Sequence, residues 1–230
     1  MGSVYSTLRQ VGFFSLACIH LYCVAKLAQP GTNLFSWHPF LTSAAFGLIM
    51  PEAFTQISRL SALGRSITYK NRVRIHAVLQ TVSVILAGVG MACIYINKNM
   101  NNRPHLKTFH SWFGLGTFVY ALFQSLGGFM IMYPDLRPKL APGSYQMKVY
   151  HAVNAASLML CASVAMFFSN YSIWFAKHKM NESLYATGMW IYPTVLAVRA
   201  CWTVYESGAF YKLLGKGPLP TPDPRDSSTL

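Results

Sequence analysis

Six apolar blocks, each about as long as a hydrocarbon layer is thick, limit what this chain can fold into. They cover roughly 11–28, 38–57, 74–96, 110–133, 150–174 and 184–210. About 20 apolar residues, at about 1.5 Å of helical rise each, cross the roughly 30 Å core of a bilayer. In lipid every backbone donor needs an internal partner, so each block is expected to be helical. The expected fold is all-α: a six-transmembrane-helix bundle in which helices 2–5 form a four-helix core. Hydrophobic residues make up 53% and charged residues 11%, against roughly 25% charged in soluble domains. That balance excludes a soluble fold.

The blocks divide the chain into an N-terminal tail, 1–10, a transmembrane domain, 11–214, and a tail, 215–230, whose proline, serine and charge predict disorder. The first ten residues carry no signal-peptide cleavage pattern. Met-Gly-Ser-Val-Tyr-Ser at the start fits the loose myristoylation pattern, with Gly2 and Ser6.

The formal charge is +13. The basic residues are scattered over short loops between apolar blocks, which points to membrane orientation and anionic lipid rather than nucleic acid. Arg9, Arg59, Arg65, Lys70, Arg72, Arg74, Arg137, Lys139, Lys148, Lys212 and Lys216 fall on one side, eleven in all. Lys26, Lys98, Arg103, Lys107, Lys177 and Lys179 make six on the other. The positive-inside rule then puts both termini in the cytoplasm. Sequons at Asn170 and Asn181 fall on the opposite face, where glycosylation is possible. Trp37, Trp112, Trp174 and Trp190 lie toward that face, as an interfacial belt does. Cys18, Cys23, Cys93, Cys161 and Cys201 all sit inside apolar blocks with no CxxC pair, so they read as small buried thiols.

Four of the seven histidines share one property. His38, His76, His110 and His151 stand near the starts of the second, third, fourth and fifth helices. Because consecutive helices run in opposite directions, His38 and His110 fall at one depth, and His76 and His151 at another. Diagonal helices of a four-helix bundle place such residues across the core from each other. Two facing imidazoles are what a six-coordinate haem iron needs. The expected cofactors are therefore two b-type haems. Zinc fits poorly, since each layer supplies only two ligands. Residues 14 beyond the histidines are Glu52, Gly90, Gln124 and Ala165. Fourteen residues return to within about 40° of the same face, about 21 Å deeper. Glu52 and Gln124 are thus expected beneath His38 and His110, while Gly90 and Ala165, with Gly88, Gly127 and Gly128, leave room for a macrocycle. The same positions lack the second histidine that di-haem cytochromes of the quinol-oxidising type place there.

The stretches Ser36-Trp37-His38-Pro39, 72–80 (RVRIHAVLQ), 105–110 (HLKTFH), 124–128 (QSLGG) and 148–151 (KVYH), with the Tyr133-Pro134 corner, resemble the cytochrome b561 family. Within it the chain most resembles the cytochrome b561 domain-containing protein 2 subgroup. The likeness is strong over 35–150 and extends to all six helices in order. It implies a di-haem transmembrane reductase that takes electrons from cytoplasmic ascorbate. These pass to monodehydroascorbate or ferric chelates on the other side, usually from a homodimer. It makes His38 and His110 ligands of the outer haem, and His76 and His151 ligands of the inner one. It places Arg72 and Arg74 at the ascorbate site, and His105 and Lys107 at the outer substrate site. It is compatible with endoplasmic reticulum, vesicle or plasma membrane.

Other residues have plainer readings. Arg72 and Arg74 serve equally as topology determinants or as guanidinium forks for a haem propionate or an anionic substrate. Tyr150 reads as an interfacial anchor. His20, midway along the first helix, reads as a hydrogen-bonded packing residue. Glu52 is costly in lipid and Arg199 is unusual within the sixth helix, where it can snorkel. A competing function is a haem-free channel or transporter with the histidines as a proton relay, and a third is a structural protein that binds haem but resists ascorbate.

Overall fold

The computed structural model of the protein describes residues 2–57, 67–136, 138, 143–176, 182–208 and 212–214. Arg59, Arg65, Arg137, Lys139, Lys177, Lys179, His178, Asn181, Lys216 and the tail 215–230 lie outside the described residues. The basic-residue count, the second sequon and the C-terminal tail therefore stay as sequence expectations.

The secondary structure of the described residues is helical, with six long helical segments. Helix α1 is Gly2–Ala28. Helix α2 covers 34–57 as Leu34–Thr42, Ser43–Ile49 and Met50–Ile57 in unbroken succession. Helix α3 is Tyr69–Met100, α4 is Phe109–Met132 and α5 is Ser144–Ser169. Helix α6 covers 182–207 as Glu182–Tyr185, Ala186–Ile191 and Tyr192–Ser207. A single turn, Ile173–Ala176, lies between α5 and α6. Helix α1 starts nine residues ahead of its apolar block.

Among the described residues, four helices are long and apolar enough to cross a membrane: Thr7–Ala28 within α1, α3, α4, and Tyr145–Ser169 within α5. Large apolar side chains such as Ile85 on α3 and Phe123 on α4 point outward. In water that would be costly; against lipid it is the expected outer surface.

Helices α2 and α6 share a different feature, a π turn just ahead of a proline. In α2 the Met50 N–H reaches back five residues to the Ala45 carbonyl, and Pro51 follows. In α6 the Tyr192 N–H reaches back to Thr187, and Pro193 follows. Proline brings no N–H to the carbonyl four residues before it. Those two carbonyls belong to Gly47 and Met189, and each is served by a side chain from another helix. The Tyr192 hydroxyl donates to Gly47, and the Asn170 amide donates to Met189 at 2.7 Å. His20 on α1 bonds through Nδ1 to the Gly188 carbonyl at 2.7 Å and stacks on Tyr192 with ring centroids 4.8 Å apart. Membrane helices tolerate proline when neighbours satisfy the freed groups in this way. His20 is thus the hydrogen-bonded packing residue that its position predicts.

Asn170 departs from expectation. Its sequon suggested a glycosylation acceptor, but it is buried and its amide is spent on Met189. Helix packing took precedence over surface chemistry there. The cysteines also divide: Cys23 is buried, while Cys18 and Cys201 face outward.

Helices α2 and α3 pack along their lengths, as do α4 and α5. The two pairs meet more lightly, α3 against α4 and α2 against α5, closing a four-helix ring. Helices α1 and α6 pack on each other, with α1 also against α2 and α6 against α5. Between membrane helices, close packing replaces the hydrophobic drive of soluble cores, so small residues line the contacts. Ala17, Ala45, Ala87, Ala121 and Ala162 are buried at these contacts. At Gly188 a Cβ would come within 2.7 Å of the Cys23 sulfur, so α6 approaches α1 only because that position is glycine.

Candidate functional site

Helix starts fix the histidine depths. Asn33 caps α2 by accepting from the Ser36 N–H at 3.0 Å. Thr108 and Ser111 form a reciprocal capping box at α4. Thr68 caps α3 by accepting from Asn71, and α5 starts after Gly143. His38 and His110 follow their caps closely, while His76 and His151 each stand eight residues beyond theirs.

The four histidines meet in two pairs across the diagonals of the ring. His38 on α2 faces His110 on α4, with ring centroids 6.2 Å apart and planes at 74°. His76 on α3 faces His151 on α5 at 6.3 Å and 79°. An iron about 2 Å from a nitrogen of each imidazole, with each centroid about 1.1 Å further on, puts the centroids about 6.2 Å apart. Both pairs match that spacing.

The second ring nitrogens are held by backbone. His38 Nδ1 lies 3.0 Å from the Gly90 carbonyl, His76 Nδ1 2.7 Å from Ala53, and His110 Nδ1 2.9 Å from Ala165. With each Nδ1–H donating to its carbonyl, the Nε2 lone pair is left for a metal. A rule lies behind the partners. Gly90 is 14 residues beyond His76, and Ala165 is 14 beyond His151. His38 and His110 are therefore each held by the neighbouring helix at a residue 14 past that helix's own histidine, about 21 Å along it. The two layers are separated by that distance. Ala53 is 15 beyond His38, and the extra residue is the one that the π turn of α2 takes up.

The fourth histidine breaks the rule. His151 Nδ1 is buried and has no hydrogen-bond partner among the described residues. The matching residue on α4, Gln124, instead donates its side-chain amide to the His151 backbone carbonyl at 2.7 Å. Gly128 leaves room for the ring, because a Cβ there would lie 3.1 Å from His151 Cε1.

The π turn also corrects one expectation. Glu52 was expected beneath His38 on the same face. The added residue puts Ala53 in that place and turns Glu52 toward α1 and α6. There it accepts from Gln10 at 3.3 Å and pairs with Arg199 at 3.7 Å. Arg199 does not snorkel: its guanidinium lies 3.5 Å from the centre of the Phe13 ring. Gly90 has a different use from the one expected. A Cβ there would meet Thr42 and Leu41 of α2 at 3.0 and 3.3 Å, so its missing side chain admits a helix.

Among the other sequence candidates, Arg72 stands one turn before His76 and shares its face, with its guanidinium 5.4 Å from the Tyr69 ring. Arg74 is two residues before His76, about 200° around the helix. It is exposed and bonds Asn71 at 3.4 Å. Lys148, three residues before His151, shares that histidine's face. In the sequence it stands among the loop charges and opens the 148–151 (KVYH) stretch, and its spacing from His151 gives it this further place. His105 is exposed and lies against the end of α3, 2.8 Å from the Asn99 side chain and 4.9 Å from the Tyr95 ring centre. Lys107 is exposed on the same loop. Among the described residues no three His, Cys, Asp or Glu side chains converge as a bare metal ion would require.

Long apolar helices and inward-facing imidazole pairs define a class, the b-type membrane cytochromes. The chain belongs to the cytochrome b561 family: the family pattern described as eukaryotic cytochrome b561 matches residues 37–176. Its relatives include the mouse (Mus musculus) protein named transmembrane reductase CYB561D2, 38% identical over 152 residues, 66% of this chain and 68% of that one. The cattle (Bos taurus) protein of the same name is 36% identical over 178 residues, 75% of this chain and 78% of its own. A rat (Rattus norvegicus) protein named plasma membrane ascorbate-dependent reductase CYBRD1 is 30% identical over 141 residues, 57% of this chain and 49% of that one. The apolar helices and these relatives make this an integral membrane protein.

Proposed function

We propose that the protein is a di-haem transmembrane reductase that carries electrons from cytoplasmic ascorbate to an acceptor on the opposite side. The acceptor class is monodehydroascorbate or a ferric chelate. The observation that carries the reading is the pair of opposed imidazole couples, each at the spacing of a bis-histidine iron site, in two layers about 21 Å apart. In this reading all six helices cross the bilayer with both termini in the cytoplasm, and the unit is a homodimer. Two bound haems b would supply one-electron steps between the two faces.

The chain's own residues do the rest. His76 and His151 hold the inner site, and His38 and His110 the outer one. Backbone carbonyls of Ala53, Gly90 and Ala165 fix three of the four rings. Arg72, on the face of His76, offers a guanidinium fork to an enediolate or propionate at the cytoplasmic end, with Lys148 beside His151 and Arg74 nearby. His105 and Lys107 present donors and positive charge to an anionic acceptor at the outer end. A proton relay through the histidines is less well supported. Three of the four rings end on backbone carbonyls, which accept a hydrogen bond but pass no proton on.

The test is a pyridine haemochrome assay on the purified protein, followed by titration with ascorbate. Two haems per chain, both reduced by ascorbate, are expected. One haem or none would sink the di-haem scheme, and two haems that ascorbate leaves oxidised would remove the reductase reading alone.

A further inference from the structure

Glu52 and Arg199 form a largely buried ion pair outside the histidine layers, one that the proposed reaction does not use. The side chains are 14% and 16% exposed, with Nη2 and Oε1 3.7 Å apart. A charge in lipid is expensive, so an unpaired Arg or Glu at this depth would be strongly disfavoured. Gln10 and Thr55 add hydrogen bonds to Glu52 Oε2 at 3.3 and 3.4 Å. The Phe13 ring covers the guanidinium. Arg9, stacked on Trp202 at 6.0 Å, adds a second positive charge near the same end of α6.

The position of the pair gives it a use. Glu52 directly precedes Ala53, whose carbonyl holds His76 Nδ1 at 2.7 Å. Adding one peptide step, the side-chain length and that hydrogen bond keeps the carboxylate within about 13 Å of the imidazole. His38 is 14 residues back along α2, about 21 Å away. Between charges in a low-dielectric interior the interaction falls with distance and is little screened by salt.

We propose that Glu52 and Arg199 are positioning residues that set the reduction potential of the inner site. The paired charges act on the His76 layer more than on the His38 layer. This rests on the di-haem reading above. Reduction of a ferric haem adds one negative charge. Glu52 alone opposes it and Arg199 alone favours it, so the two variants must move the potential in opposite directions. A purely structural role would not produce opposite signs.

The experiment is a spectroelectrochemical titration of the purified full-length chain. Wild type, Glu52→Gln, Arg199→Gln, Arg199→Lys and the double variant Glu52→Gln/Arg199→Gln are compared. Glu52→Gln is expected to raise one midpoint and Arg199→Gln to lower the same one. The second midpoint should move by clearly less, and Arg199→Lys should restore the wild-type value. The component that moves is the one lost in His76→Ala. If Arg199→Gln yields no folded protein, the other two decide: Glu52→Gln must raise the midpoint and the double variant must lie below Glu52→Gln, because the opposing charge of Arg199 is then gone as well. Shifts of the same sign, no shift, or a larger shift at the other haem would overturn the proposal with the di-haem reading intact. A wild type without haem would sink that reading and this inference with it.

Discussion

An imidazole serves as a metal ligand when one nitrogen is held and the other left free, and three of the four histidines meet that condition through a neighbouring carbonyl. His151 does not, and its ring rests on the Gly128 gap and the Gln124 grip on its backbone. Gly128→Val should therefore displace His151 and reduce haem content at that layer, measured as haem per chain, while the His38 layer stays loaded. Around the inner end, residue position separates two arginines that the sequence treats alike. Arg72 shares the His76 face and Arg74 does not. Arg72→Ala should slow reduction by ascorbate roughly tenfold, the value of one charge-assisted hydrogen bond, and leave dithionite reduction unchanged. Arg74→Ala should change either rate by less than about twofold, as an exposed charge does. Equal loss in both variants would remove the distinction. At the other end, His105→Ala should keep full haem content and slow reoxidation by a ferric chelate, read by stopped-flow absorbance. Loss of a haem there would make His105 a ligand.

At the scale of the helix, two π turns do work that the sequence hides. The apolar blocks, their order and the two-layer pairing of the four histidines were legible, because each depends on one run of sequence and a fixed rise per residue. The phase of α2 was not legible. A single added residue turns Glu52 from the face of His38 toward Arg199, and nothing local in the 43–49 stretch announces it. In hindsight Met50-Pro51 and Tyr192-Pro193 were the signal, since each proline deprives a carbonyl inside an apolar block. Which side chain would serve that carbonyl depends on how α1, α2, α5 and α6 meet, and no spacing within one helix encodes that. The sequon at Asn170 misled for the same reason. Tyr192→Phe should remove the bond to Gly47 and destabilise the fold by about 1 kcal/mol, within the range for interhelical hydrogen bonds in membranes. Denaturation of the purified protein should show this with haem content unchanged. A variant as stable as wild type would mean that Gly47 finds another donor.

At the scale of the whole molecule, the ligands should fail in pairs set by depth rather than by order in the chain. Helix direction alternates, so the four histidines at four consecutive helix starts alternate between two layers. The packing places α2 diagonal to α4 and α3 diagonal to α5. The ring separations, 6.2 Å for His38 with His110 and 6.3 Å for His76 with His151, follow from that arrangement. Pairing His38 with His76 instead would ask two ligands about 21 Å apart along the helices to share one iron. His38→Ala and His110→Ala should then delete the same spectral component, and His76→Ala and His151→Ala the other. Each single variant should retain one haem per chain, because the carbonyl latches of one layer come from helix segments that the other layer's substitution leaves in place. In vesicles loaded with ascorbate, the first two variants should still be reduced but deliver no electrons to an external ferric chelate. The second two should resist reduction from the ascorbate side. Haem stoichiometry and low-temperature absorbance of the four proteins measure the first claim, and external chelate reduction measures the second. Loss of one component by both His38→Ala and His76→Ala would contradict the diagonal packing itself.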